Sequence, residues 1–270
     1  MIGAIVFQLK AEQDGKMPVV QGRLLHAAFF RMLKAYSEEL AASIHDNTQG
    51  KMFTLSELKL LQKPNRIDNC ILIREGDLFQ WRVTVLNDVL LEAALAVPEG
   101  YLLRVGSMPM RIEKIIVNGS ENTESGVLDV NELIAVCLSI ITVQRITFNF
   151  VSPVSFRSFQ DDYPFPLPQL IFGSIADKWN QSGMPITLEK EKIREMAAKI
   201  LPEVWEGRTK QIFFKFDRGV TGFTGKFTFN VSMLPANIQQ LFLLLAQFSV
   251  FSGVGRLTGQ GMGQTRVTYQ

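Results

Sequence analysis

The sequence predicts an α+β fold of two successive βαββαβ units. Three observations predict it: a composition fit for buried cores, alternating period-two and period-3.6 apolar runs in the same order twice, and a polar aperiodic stretch between them. The 270 residues are 47% hydrophobic and 20% charged and include 20 Phe, which supplies real cores and excludes disorder, collagen and coiled coil. That length suits two domains of about 100–150 residues each.

In the first half, residues 2–9 read as a strand. Residues 23–36 follow as a helix, with Leu25, Ala28, Phe29, Met32, Leu33 and Tyr36 at i, i+3, i+4, i+7 spacing. A shorter helix over 37–44 ends in the polar loop HDNTQGK. Residues 52–60, 69–74 and 79–86 read as strands, the last two joined as a hairpin around Glu75, Gly76 and Asp77. A helix over 89–96 and returning strands over 101–117 complete the unit. The stretch 118–129, NGSENTESGVLD, is the linker, which sets an N-terminal domain of 1–128 and a C-terminal domain of 129–270.

The second half repeats the order. Residues 143–150 form a strand, 168–180 a helix, 211–216 and 222–231 strands, 237–251 a helix with Ile238, Leu241, Phe242, Leu245 and Phe248 on one face, and Thr265–Tyr269 the closing strand. Two such units are tandem ferredoxin-like (RRM-like) domains, a fold that also underlies sheet-based RNA binders. Fold alone does not fix function.

Net charge is only +2, but it is unevenly placed. Residues 1–142 carry 14 basic and 17 acidic side chains, whereas 143–270 carry 14 basic and 9 acidic. From Arg208 onward seven basic residues face the single acid Asp217, a candidate polyanion surface or a solvated face that lacks acids. The longest apolar run, 241–246, is far short of the roughly 18–20 residues of a membrane span. The N-terminus MIGAIVFQLKAEQDG has no basic leader or cleavage pattern, so a cytoplasmic protein is expected. Cys70 and Cys137 stand alone in apolar runs typical of buried thiols, without a CxxC or a nearby His, and support neither a disulfide framework nor a zinc site.

The C-terminus reads GVGRLTGQGMG over residues 253–263, five glycines in eleven residues. Glycines permit positive φ and close backbone approach, so successive N–H groups can point at a phosphate, with Arg256 as a cation inside the loop. Dinucleotide and Walker loops follow a strand and open a helix; this loop follows a helix and opens a strand, and it has no terminal Gly-Lys-Ser/Thr. A plain glycine hinge is the structural alternative.

Gly253, Gly255, Gly261 and Gly263 resemble the GxGxxxxxGxG signature of the CRISPR-associated endoribonucleases that cut precursor CRISPR RNA within its repeats, the sixth Cas family of the RAMP superfamily. GRLLHAAFFRML, IHDNTQGKMFTLSEL, FVSPVSFR, PLPQLIFGSIADKWN and VTGFTGKFTFNV agree with that family in order along the chain. The resemblance implies tandem ferredoxin-like domains, metal-independent cleavage of a repeat RNA leaving 2′,3′-cyclic phosphate and 5′-hydroxyl ends, no cofactor, and partner proteins of a type I or type III effector complex. It leaves open a monomer or a homodimer.

A metal-independent cut needs a base for the 2′-OH, an acid for the 5′-oxygen and a cation for the phosphorane. His45 sits where a helix gives way to a loop, with Lys51 six residues on, and in the resembling family a His and a Lys occupy these places. The bland reading is an exposed helix-end histidine favoured near the dipole. His26 lies one turn from Arg23 on the first helix, where some members carry the catalytic histidine; its bland reading is a partly buried His beside the core. His45 is the first choice and His26 the second. Some members carry a Tyr late in this helix, but Phe29 and Phe30 stand there, so the acid falls to the second histidine, Lys51 or Tyr36. Expected RNA contacts are Arg23, Arg256 and the four signature glycines. Asp161 and Asp162 could be offered as metal ligands, but a two-metal site wants several converging acids, and a solvated loop fits them better. There is no GxSxG elbow for a serine hydrolase. A catalytically silent RNA-binding subunit of a CRISPR complex and a nucleotide-binding enzyme are the alternative functions.

Overall fold

The computed structural model describes residues 1–46, 52–158, 161–215 and 218–270. The chain forms two compact units, Met1–Val127 with Gly259–Gly261, and Leu128–Thr258 with Met262–Gln270. Among the described residues no helix is long and apolar enough to cross a membrane.

The first unit opens with β1 (Ile2–Ala11), β2 (Gly15–Pro18), α1 (Gly22–Tyr36) and α2 (Glu38–Asp46). It continues with β3 (Phe53–Leu55), β4 (Lys59–Leu60), β5 (Asn65–Ile67), β6 (Cys70–Ile73) and β7 (Leu78–Val85). It closes with α3 (Asp88–Leu95), β8 (Leu102–Val105) and β9 (Met108–Ile116). The sheet order β3-β7-β1-β9-β8, all antiparallel, is the ferredoxin-like arrangement with the last strand doubled back as a hairpin. α1 forms because its apolar residues recur at helical spacing, and Leu25, Ala28, Phe29, Met32 and Leu33 are indeed its buried face. Ser37 ends it, its N–H donating to Leu33 O, and then its Oγ accepts from Leu40 N and starts α2. Phe7, Phe29, Phe53 and Trp81 meet at the centre, with the Phe29 and Phe53 rings 4.7 Å apart.

The hairpin expected around Gly76 does not form. The turn is present, with Asp77 N bonded to Arg74 O and Gly76 at φ +86°, but β6 pairs with β2 and β5 in a separate three-stranded sheet. The end of β1 takes the place beside the turn: Gly76 N donates to Ala11 O, and Ala11 N to Asp77 O. β1 then runs antiparallel to the whole of β7.

β10 (Gly126–Leu128) lies where the chain passes to the second unit. That unit holds α4 (Val130–Ser139), β11 (Arg145–Val154), β12 (Phe156–Ser158), β13 (Asp161–Tyr163), α5 (Pro168–Gln181) and α6 (Lys190–Ala197). β14 (Leu201–Lys215), β15 (Arg218–Asn230), α7 (Ala236–Ser252) and β16 (Thr265–Tyr269) follow. The sheet order β14-β15-β11-β16 again places the first strand between the third and fourth, so the fold is α+β with two ferredoxin-like units. Its core is aromatic: Phe148, Phe150, Phe172, Phe229 and Phe242 are fully buried, and Trp179 packs edge-on against Phe248.

Cys70 is only half-buried, because β6 lies outside the main sheet. Cys137 is buried, and burial pushes its thiol up to about 11.

Candidate active site

The start of α1 is tied down from a distance. Gln21 offers no side-chain cap, so the carboxylate of Glu57 takes the role, accepting from Gln21 N at 2.7 Å and Gly22 N at 3.1 Å. Gln21 reciprocates by accepting from Leu58 N at 3.0 Å. Gly22 is required by close approach: a Cβ there would fall 1.9 Å from Gln260 O. The first turn of α1, Glu57 and the segment Gly259–Gly261 of the same unit are thereby locked together.

His26 projects from this anchored turn and is half-buried, while Arg23, one turn before it, is exposed. The imidazole packs on Phe30 (ring centroids 4.8 Å) and on Phe53 (5.8 Å). The backbone of Gly259 passes over it, so that a Cβ on Gly259 would lie 3.7 Å from His26 Cδ2 and 3.1 Å from the Phe53 ring. His45, at the end of α2, is 73% exposed, its Nδ1 3.1 Å from Asp46 Oδ1. Its ring meets Phe30 edge-on at 5.9 Å. Both histidines therefore flank one phenylalanine, one held by the helix and one facing solvent. If Nδ1 of His45 carries the proton toward Asp46, Nε2 is the acceptor nitrogen of the ring.

Lys51, the expected partner cation, lies outside the described residues. Tyr36, an alternative acid, donates its hydroxyl to Glu92 at 3.1 Å, and that contact raises its pKa. Among the described residues no group of three or more His, Cys, Asp or Glu could hold a metal ion.

The glycine-rich loop is folded on itself. Gly255 sits at φ +73°, where a Cβ would fall 2.4 Å from Ser155 O, and Gly263 at φ +75°, where it would fall 2.2 Å from Val254 O. The N–H groups of Gly253, Val254, Gly255, Arg256, Met262 and Gly263 all donate within the protein, to Ser249 O, Gly263 O, Ser174 Oγ, Ser155 O, Leu257 O and Pro153 O. The glycines thus permit a tight chain path, and those six amides are already taken. Asp161 and Asp162 stand on a strand and not in a loop, forming β13 against β12; Asp161 is exposed as expected, whereas Asp162 is half-buried and paired with Arg256.

Comparison with known proteins decides the family. A model of the CRISPR Cas6 N-terminal domain matches residues 1–103, and a model of the CRISPR-associated endoribonuclease Cas6 matches residues 148–265. The chain belongs to the Cas6 family. Cas6 from Thermus thermophilus, solved as a product complex, is 26% identical with a TM-score of 0.78, over 100% of this chain and 99% of that one. A second Cas6 product complex is 24% identical (TM-score 0.75, 99% of each chain). A RAMP protein binding different RNA substrates shares the fold at 14% identity (TM-score 0.63, 98% of this chain and 99% of that one). No curated protein sequence matches the chain. As a Cas6, the protein is an RNA-cleaving endoribonuclease of CRISPR RNA processing.

Sequence reading of this Cas6 missed Glu57 and Phe30 as parts of the histidine environment. Glu57 stands inside the IHDNTQGKMFTLSEL segment, but a cap supplied from 35 residues away leaves no local capping pattern. Phe30 carried a signal of a kind: it follows His26 by four residues and so shares its helix face.

Proposed function

We propose that the protein cuts precursor CRISPR RNA within its repeats by metal-independent acid–base catalysis, with His26 and His45 as the proton-transfer pair. The observation that carries this reading is their common contact with Phe30 beside the exposed Arg23. One imidazole, neutral, takes the proton of the 2′-hydroxyl as that oxygen attacks the adjacent phosphorus. The other, protonated, gives its proton to the departing 5′-oxygen. The products are a 2′,3′-cyclic phosphate and a 5′-hydroxyl, and the proton count balances over the step. Arg23 offsets the charge that builds on the phosphorane, with Lys51 the second cation expected from the family resemblance. The glycine loop acts by its path: Gly259 covers the His26 ring, and Gly261, at φ +90° with its Cβ position 2.7 Å from Glu57 Oε1, permits the close turn beside it. The mature guide RNA passes to a type I or type III effector complex.

Single-turnover cleavage by His26→Ala and His45→Ala tests the pair. Each substitution lowers the rate by about 10² or more with RNA affinity within a few fold, as for loss of a general acid or base. Melting curves separate a repacking effect at half-buried His26. Either variant cutting at the wild-type rate removes that histidine from the mechanism.

A further inference from the structure

The second unit contains a cavity of about 210 Å³ between α5, α6, β12 and the start of the glycine loop. Four cations line it, Arg157, Lys190, Arg194 and Arg256, against one lining acid, Asp177. It is smaller than the roughly 300–1,000 Å³ typical of small-molecule sites, and besides the charged groups Gln169 and Ser174 line it, with Phe156 and Leu170 as its apolar side chains. Lys190 reaches Asp177 at 2.6 Å, Arg194 lies 3.5 Å from Glu191, and Arg256 pairs with Asp162. Arg157, on β12 opposite Asp162 of β13, is exposed, and its side chain has no ion pair or hydrogen bond among the described residues. The four lining cations thus meet three paired carboxylates, Asp177, Glu191 and Asp162, of which only Asp177 lines the cavity.

The helix beneath is shaped to hold one of these cations. Gly173 lies in the interior of α5, where glycine costs about 1 kcal/mol relative to alanine. A Cβ there would fall 2.8 Å from Arg194 Cγ and 3.1 Å from Cδ, so the gap seats the arginine stem against the helix. One turn of wall is fixed by Ser174, whose hydroxyl donates to Ile171 O and accepts from Gly255 N. Small volume, converging guanidinium and ammonium groups, and a fixed polar wall suit a tetrahedral oxyanion, which guanidinium forks bind in bidentate fashion.

We infer that this cavity is a phosphate-binding site, separate from the histidines of the first unit. The phosphate belongs either to the RNA strand, which rests on the proposed function, or to a free phosphate ion, which does not. Two binding measurements on the full chain distinguish them, using wild type, Arg194→Gln and Arg157→Gln. In the first, repeat-RNA affinity is measured against salt. A strand phosphate predicts a several-fold weaker complex at 0.15 M salt and a log–log slope shallower by about one for each cation removed. In the second, melting is followed with inorganic phosphate against chloride at equal ionic strength. A free phosphate predicts a rise in Tm for wild type that the variants lose, with RNA binding unchanged. Gly173→Ala retains every charge but displaces the Arg194 stem, and it weakens whichever response wild type shows. Variants that match wild type in both measurements overturn the inference. Because both readouts are binding, their failure is distinct from failure of the histidine assignment, which is read from rates.

Discussion

Phe30 is the residue on which the two histidines meet, so its loss should reach both. Phe30→Ala is expected to slow single-turnover cleavage by about tenfold with RNA affinity nearly kept, because the rings lose their common support while their chemistry remains. Phe30 is half-buried, so the stability cost falls below the roughly 3–5 kcal/mol of a fully buried Phe→Ala. A matched pair of kinetics and melts checks it. Lys178 gives a second residue-scale prediction. Its Nζ donates to Ser252 O and Gly253 O at the end of α7, and burial pulls it down from 10.5 to about 7. The unfolded chain then binds more protons than the folded one between about pH 7 and 10.5, so stability rises with pH across that window. Relative to Lys178→Met, which cannot titrate, wild type should gain up to about 1 kcal/mol per pH unit above pH 7 and run parallel to it at lower pH. Denaturant melts from pH 6 to 9 read the difference.

At the scale of elements, the start of α1 depends on Glu57. Glu57→Ala leaves two helix-start N–H groups without their carboxylate and should cost about 2 kcal/mol, with Glu57→Gln losing less. If the anchored turn also positions His26, Glu57→Ala lowers the cleavage rate in protein that is still folded at assay temperature. Asn87→Ala, which removes the N-cap bond to Leu90 N, should cost about 1 kcal/mol without any such loss of rate. The elements legible in the sequence were those with a buried face: α1, α5, α7 and the central strands all showed their period. Those missed had no such face to show. Residues 201–211 of β14 are exposed throughout, so the sequence pattern marks the strand only from residue 211. α6 buries only Ile193 and Ala197 in a highly charged stretch, and α4 looked like a plain apolar run. The pairing of Asp162 with Arg256 joins residues 94 apart and has no local signature.

Across the whole molecule, chemistry and charge are divided between the two repeats of the fold. The first half is net acidic and carries both histidines; the second is net basic. Arg208, Lys210 and Lys226 are exposed on β14 and β15. Replacing all three by Gln should weaken RNA binding by about tenfold or more at 0.15 M salt and flatten the salt slope by about two, as counterion release is lost. An unchanged slope would remove this surface from the RNA path. The central claim, that two imidazoles and no metal ion cut the repeat, is met most directly by end analysis of the products formed in EDTA. Mass spectrometry of the upstream fragment should show a 2′,3′-cyclic phosphate, with a 5′-hydroxyl on the downstream one and no cleavage when the scissile 2′-OH is replaced by hydrogen. A strict Mg²⁺ requirement, or an upstream fragment ending in a 3′-hydroxyl, would contradict it.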